Sequence, residues 1–222
     1  MEMAMSDASM SEESLFEYHL YSLGRKTTIL NKQKKQVSLL SANNIAVKKE
    51  LVLNGSNHYY HSQVRAIGQK LKFGVYVQID NEKDNGLGLA LPKGVVRVYK
   101  RDSNDNLQFI GEDRIDHTPN KDKIRLKLGD AFDVVANKTQ TDFKVNERLI
   151  SKRIYESSYE IEVTNGKKEA TEVVIREPIP GDWAIASESV QHKKIASNMA
   201  EWKLTIPAEG KVTLKYSTRV KY

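Results

Sequence analysis

Three observations predict an all-β chain: apolar residues recur at every second position, turn residues bound the short runs, and no stretch carries a capped helical pattern. The expected architecture is two β-sandwich domains, the second immunoglobulin-like, behind a flexible leader. The leader is residues 1–14, the first domain 15–140 and the second 141–222.

The leader is small, polar and Met-rich, with four acids (Glu2, Asp7, Glu12, Glu13) and no base. From Leu15 the period becomes two, with Phe16, Tyr18 and Leu20 sharing one face. Short strands are expected at TTIL (27–30), QVSLL (36–40) and NIAVKKELVL (44–53). In KLKFGVYVQID (70–80), Leu71, Phe73, Val75, Val77 and Ile79 alternate without a break, and NEKDNGLG then turns the chain through Asn85-Gly86. VVRVYKR (95–101) and LQFIGED (107–113) flank a turn of Ser, Asn and Asp, and KIRLKLG and AFDVVAN form a pair around Gly129-Asp130.

In the second domain, Tyr159, Ile161 and Val163 share a face up to the turn Asn165-Gly166. TEVVIREPIP follows, and Pro178 and Pro180 end its ladder or hold it to an edge. Trp183 and Trp202 are core pieces, and Val212, Leu214, Tyr216, Thr218 and Val220 make one face of the closing strand. Strands of this length and spacing argue a seven-stranded sandwich.

The 222 residues include 35 basic and 29 acidic ones, a net charge of +6, and no cysteine. Lack of cysteine excludes disulfides, thiol catalysis and thiolate metal sites. The positive excess lies in 15–140, a field that could attract an anionic polymer. Its bases alternate along strands instead of clustering with stacking aromatics, which argues against specific nucleic-acid binding. No window is long and apolar enough for a transmembrane helix, and the opening residues do not read as a secretory signal.

FEYHLY (16–21), LPKGVVRVYKRD (91–102), LQFIGEDRIDHTP (107–119), RLKLGDAFDVV (125–135), YESSYEIEVTN (155–165) and PIPGDW (178–183) stand in an order that resembles the C-terminal region of the domain-of-unknown-function 4139 family. This family is related to the mucoidy-inhibitor-like bacterial proteins. The resemblance covers residues 15–222 and implies a β-rich protein that is periplasmic, at the cell surface or extracellular. It also implies an upstream β domain and a signal peptide preceding this sequence. It supplies no reaction.

The densest polar cluster is Glu112, Asp113, Arg114, Asp116 and His117. Carboxylates with an imidazole could hold a divalent metal or move a proton. Alternatively, the acids accept from Arg114 and backbone amides in a satisfied network. Asp102 to Asn106 has calcium-loop residue types but lacks the glycine and distal glutamate of an EF-hand, so composition favours a hairpin turn. His58 and His61 bracket two tyrosines, which reads as loop packing or as an aromatic surface for sugars or a protein. His19 and His192 have no partner in their local motifs. No nucleophile elbow, HExxH, Walker loop or dinucleotide fingerprint occurs.

The sequence is therefore read as a non-enzymatic structural or interaction module with no cofactor and no catalytic residue. It would bind a protein partner or itself, in an open assembly if the contact does not close, and an anionic polysaccharide is a further partner class. Two rival readings are a metal-assisted hydrolase of envelope polysaccharide centred on Glu112, Asp113, Asp116 and His117, and a polyanion binder.

Overall fold

The computed structural model describes residues 10–24, 26–149 and 152–222. Thirteen strands are described: β1 (Ser11–Leu15), β2 (Tyr18–Ser22), β3 (Val47–Asn54), β4 (Ala66–Asp80), β5 (Gly94–Arg101), β6 (Leu107–Ile115), β7 (Lys123–Leu149), β8 (Lys152–Asn165), β9 (Thr171–Pro178), β10 (Asp182–Glu188), β11 (Lys193–Ala196), β12 (Met199–Ile206) and β13 (Lys211–Lys221). Two short 3-10 turns, Asn57–Tyr60 and Lys83–Asn85, are the helical elements among the described residues. The fold is all-β, as the periodicity predicts.

Nine strands form one mixed sheet in the order β10-β13-β8-β7-β4-β3-β9-β12-β11, and β1-β2 and β5-β6 are separate two-stranded sheets. The large sheet curls until its distant strands face each other. Trp202 of β12 lies 4.6 Å from the ring of Tyr216 on β13. Its indole N–H donates to Glu188 of β10 at 3.0 Å, and that of Trp183 on β10 donates to the Ser197 carbonyl at 2.8 Å. The space so enclosed is filled by alternate residues: Tyr159, Ile161 and Val163 from β8, Val173 and Ile175 from β9, Trp202, Leu204 and Ile206 from β12, and Leu214, Tyr216 and Val220 from β13. Each large apolar side chain buried there contributes about 1.5–3 kcal/mol.

The chain divides into two interleaved compact units. One comprises Met1–Val47, Ile79–Gly94 and Ile115–Ile124; the other comprises Lys48–Gln78, Val95–Arg114 and Arg125–Tyr222 and holds almost all of the large sheet. In the smaller unit the amide of buried Asn81 donates to the Leu89 and Pro119 carbonyls at 2.7 and 2.9 Å, and its oxygen accepts from the Gly88 N–H at 3.0 Å.

Several expectations differ from this arrangement. The boundary expected at 140 falls inside β7, a continuous strand, so 15–140 and 141–222 are not the observed units. Gly129-Asp130 does not turn the chain back, because β7 runs straight through it. An immunoglobulin-like sandwich confined to 141–222 is not a separate body: β7, β4 and β3 stand between β8 and β9 in the sheet. Residues 27–30 and 36–40 form no strand; Ile29 and Leu30 are exposed, while Val37, Leu39 and Leu40 are half-buried outside any ladder. Of the expected leader, 1–9 lie outside the described residues, while 11–14 belong to β1.

Candidate functional site

The inward positions of the large sheet are not all apolar. On β7 the register that buries Val134 and Ala136 continues to Lys138 and Gln140. On β9 the register that buries Val173 and Ile175 continues to Glu177. Two opposite charges therefore enter one core from opposite layers. Lys138 is 2% exposed and Glu177 0%. Lys138 Nζ donates to Glu177 Oε1 at 2.6 Å.

Tyrosines enclose the pair. Tyr60, which ends the first 3-10 turn, donates its hydroxyl to Glu177 Oε2 at 2.7 Å and stands 3.0 Å from the Tyr216 hydroxyl. The Lys138 ammonium lies 4.5 Å from the Tyr59 ring centroid and 5.1 Å from that of Tyr159, within the range of attraction to an aromatic face. Tyr159 and Tyr216 are cross-strand neighbours stacked at 5.0 Å. Gln140 fixes the entering loop: its oxygen accepts from the Val64 N–H at 2.7 Å and its amide donates to the Tyr59 carbonyl at 3.1 Å. Gly55 makes room for the carboxylate, since a Cβ there would lie 2.0 Å from Glu177 Oε2.

Burial sets the electrostatics. It pushes the Tyr60 and Tyr216 hydroxyls well above the usual phenol value, with the Glu177 charge adding to the effect. Burial also pushes Tyr159 up to about 12. Burial pulls Lys138 below the usual amine value, and Glu177 opposes that shift. A cleft of about 240 Å³, lined in part by Tyr59, Gly74, Tyr76, Lys127 and Asp130, reaches this pair.

The sequence-predicted residues lie elsewhere. Glu112 pairs with Arg97 at 3.0 Å on an exposed face. Asp113 accepts from the backbone amides of Lys127 and Arg114 at 2.7 and 2.8 Å, and these bonds hold its carboxyl below the usual range. The Asp116 carbonyl accepts from the Thr118 hydroxyl at 2.9 Å. His117 borders a cleft of about 420 Å³ in the smaller unit, with Tyr18, His19, Tyr21 and Pro92. Among the described residues no group of three or more His, Asp or Glu side chains converges to hold a metal ion. Asp102 accepts from the Asn104 and Asn106 amides, which makes its loop a side-chain-closed hairpin turn.

The histidines of the HYYH segment diverge: His58 Nδ1 meets the Ser56 hydroxyl at 2.7 Å, and His61 stands edge-on to Tyr222. His19 pairs with Glu12 at 2.8 Å, and His192 with Glu188 at 2.9 Å. The segment's contribution is Tyr60, fully buried, with Tyr59 against the ammonium. Lys138 and Glu177 are not among the residues the sequence singles out; the signal for them is the period-two register continuing past the buried Ala136 of β7 and the buried Ile175 of β9.

The family model for Domain of unknown function (DUF4139) matches residues 8–222 and so takes in every strand described above. The chain belongs to the DUF4139 family. No curated protein and no solved structure matches it. Membership carries no activity with it. No helix among the described residues is long and apolar enough to cross a membrane.

Proposed function

We infer that this DUF4139 chain is a non-enzymatic interaction module of the bacterial cell envelope or exterior, and that its partner is a second copy of itself. The observation that carries this reading is the β5-β6 hairpin. It is a two-stranded sheet that exposes Val95, Tyr99, Leu107, Phe109 and Ile110, with Tyr99 and Phe109 in edge contact at 5.6 Å. Phe132, in the same compact unit, is 89% exposed. Contiguous exposed apolar surface and unpaired strand edges are the usual basis of strand-to-strand association.

The chain also supplies a matching surface. The β1-β2 hairpin exposes Leu15, Phe16, Tyr18 and Leu20 and carries Glu12, Glu13 and Glu17. β5 carries Arg97, Lys100 and Arg101 and no acid. Among the described residues Arg97 and Arg101 form exposed pairs with Glu112 and Asp105, which contribute little and exchange readily. A contact between β1-β2 of one copy and β5-β6 of the next would be heterologous and would give a ring or an open fibre.

Sedimentation velocity over a wide concentration range tests this. The intact chain is expected to grow in size with concentration, and Phe109→Lys to remain monomeric. A wild-type chain that stays monomeric throughout overturns the reading. The hydrolase alternative has less support, because Glu112 and Asp113 are already engaged by Arg97 and by backbone amides.

A further inference from the structure

The Lys138–Glu177 pair has a chemistry open to it that an exposed ion pair lacks. Each charge was taken out of water at a cost of several kcal/mol, and their attraction offsets this only in part. Condensing the two groups removes both charges and leaves a neutral amide. The atoms are set for it. Nζ touches Oε1 at 2.6 Å, one C–O bond from Cδ, while Tyr60 donates to the other oxygen at 2.7 Å. Reacting atoms held in such near-contact gain a large entropic advantage over free reactants.

We propose that Lys138 and Glu177 are joined by an intramolecular isopeptide bond between Nζ and Cδ, formed by the folded chain itself. The ammonium first passes one proton to Oε1, giving a neutral amine beside a neutral carboxyl. Nζ then attacks Cδ, and negative charge develops on Oε2. The Tyr60 hydroxyl, backed by Tyr216, stabilises that oxygen as an oxyanion-hole donor does. The Cδ–Oε1 bond breaks as Oε1 takes a second proton from Nζ and leaves as water. One N–H remains on the amide, so atoms and charge balance with no oxidant, reductant or cofactor.

Three features favour the forward course. Burial lowers the Lys138 pKa and so favours the nucleophilic free amine. Gly55 gives the carboxylate its room, since a side chain there would collide with it. The cleft that borders both residues gives the departing water a route. The bond would clasp β7 to β9, strands that three ladder steps separate within the sheet but that face each other across the core. This proposal does not depend on self-association.

Intact-mass measurement of the full chain under denaturing conditions tests it, followed by proteolysis and fragment sequencing. A mass below the sequence value by one water, mapped to a branched peptide joining residues 138 and 177, is the expected result. Lys138→Arg should return the full sequence mass, and Tyr60→Phe, which keeps the ring, should acquire the deficit more slowly. A wild-type chain at its full sequence mass overturns the proposal, as does a deficit mapped to any other residues. A Tyr60→Phe chain that cross-links as fast as wild type removes Tyr60 from the step.

Discussion

Replacing Glu177 by Leu leaves the Lys138 ammonium inside the core, near the tyrosine rings but without its counter-charge. Removing one partner of a buried pair costs about 3–5 kcal/mol, whereas replacing both by apolar residues of similar volume is often neutral. The double variant Lys138→Met, Glu177→Leu is therefore expected to be more stable than either single variant, as read from denaturant midpoints. A double variant less stable than both singles would refute that account. The tyrosines give a second prediction at this scale. Tyr60, Tyr159 and Tyr216 ionise less readily folded than unfolded because burial disfavours the phenolate. Their contribution to stability is thus full below the ordinary phenol value near 10 and is lost as pH rises toward the folded values. In an alkaline titration followed by tyrosinate absorbance, these three should ionise together with unfolding. Smooth, independent ionisation of every tyrosine before unfolding would contradict this.

Between elements, single side chains decide how strands meet. Asp113 ties β6 to β7 by accepting from the Lys127 amide as well as from that of Arg114. Those bonds favour the carboxylate and depress its pKa, so their stabilisation is present above the unfolded value and is lost as pH falls through the folded one. Asp113→Ala should speed hydrogen exchange of β5 and β6 amides at neutral pH, and acid should do the same to the wild type. Unchanged exchange in that hairpin would show that the tie is inconsequential. Gly55→Ala should destabilise the chain by about 1–3 kcal/mol, the usual range for overpacking, because the added carbon meets Glu177.

These contacts also mark the limit of sequence reading. Tyr159, Ile161 and Val163 announce an inward face because alternation is local. Whether Gly129-Asp130 turns or continues depends on distant partners instead: β7 runs through it as a strand held in the sheet between β8 and β4. Likewise, 27–30 and 36–40 carry apolar side chains but join no ladder among the described residues. Glu112 to His117 is dense in charge along the chain, yet the buried pair comes from residues 39 positions apart, Lys138 and Glu177.

Across the whole molecule, apolar burial is unevenly shared. Nearly all the buried apolar side chains belong to the larger unit; the smaller one has Ala90 and Ile124, with Asn81 and Thr118 as buried polar groups. A unit held by a buried amide and loop hydrogen bonds opens at lower free energy than one built on stacked apolar strands. Native-state hydrogen exchange should therefore show β1, β2 and residues 79–94 exchanging through local opening, while β8, β9, β12 and β13 exchange only with global unfolding. Asn81→Ala removes the bonds to Leu89, Pro119 and Gly88, and the loss of a partner for the buried Gly88 amide alone costs about 1–3 kcal/mol. It should raise exchange in the smaller unit and leave β12 and β13 at wild-type rates. Equal acceleration in both units would mean that the chain opens as a single cooperative body, and the division by core size would fall.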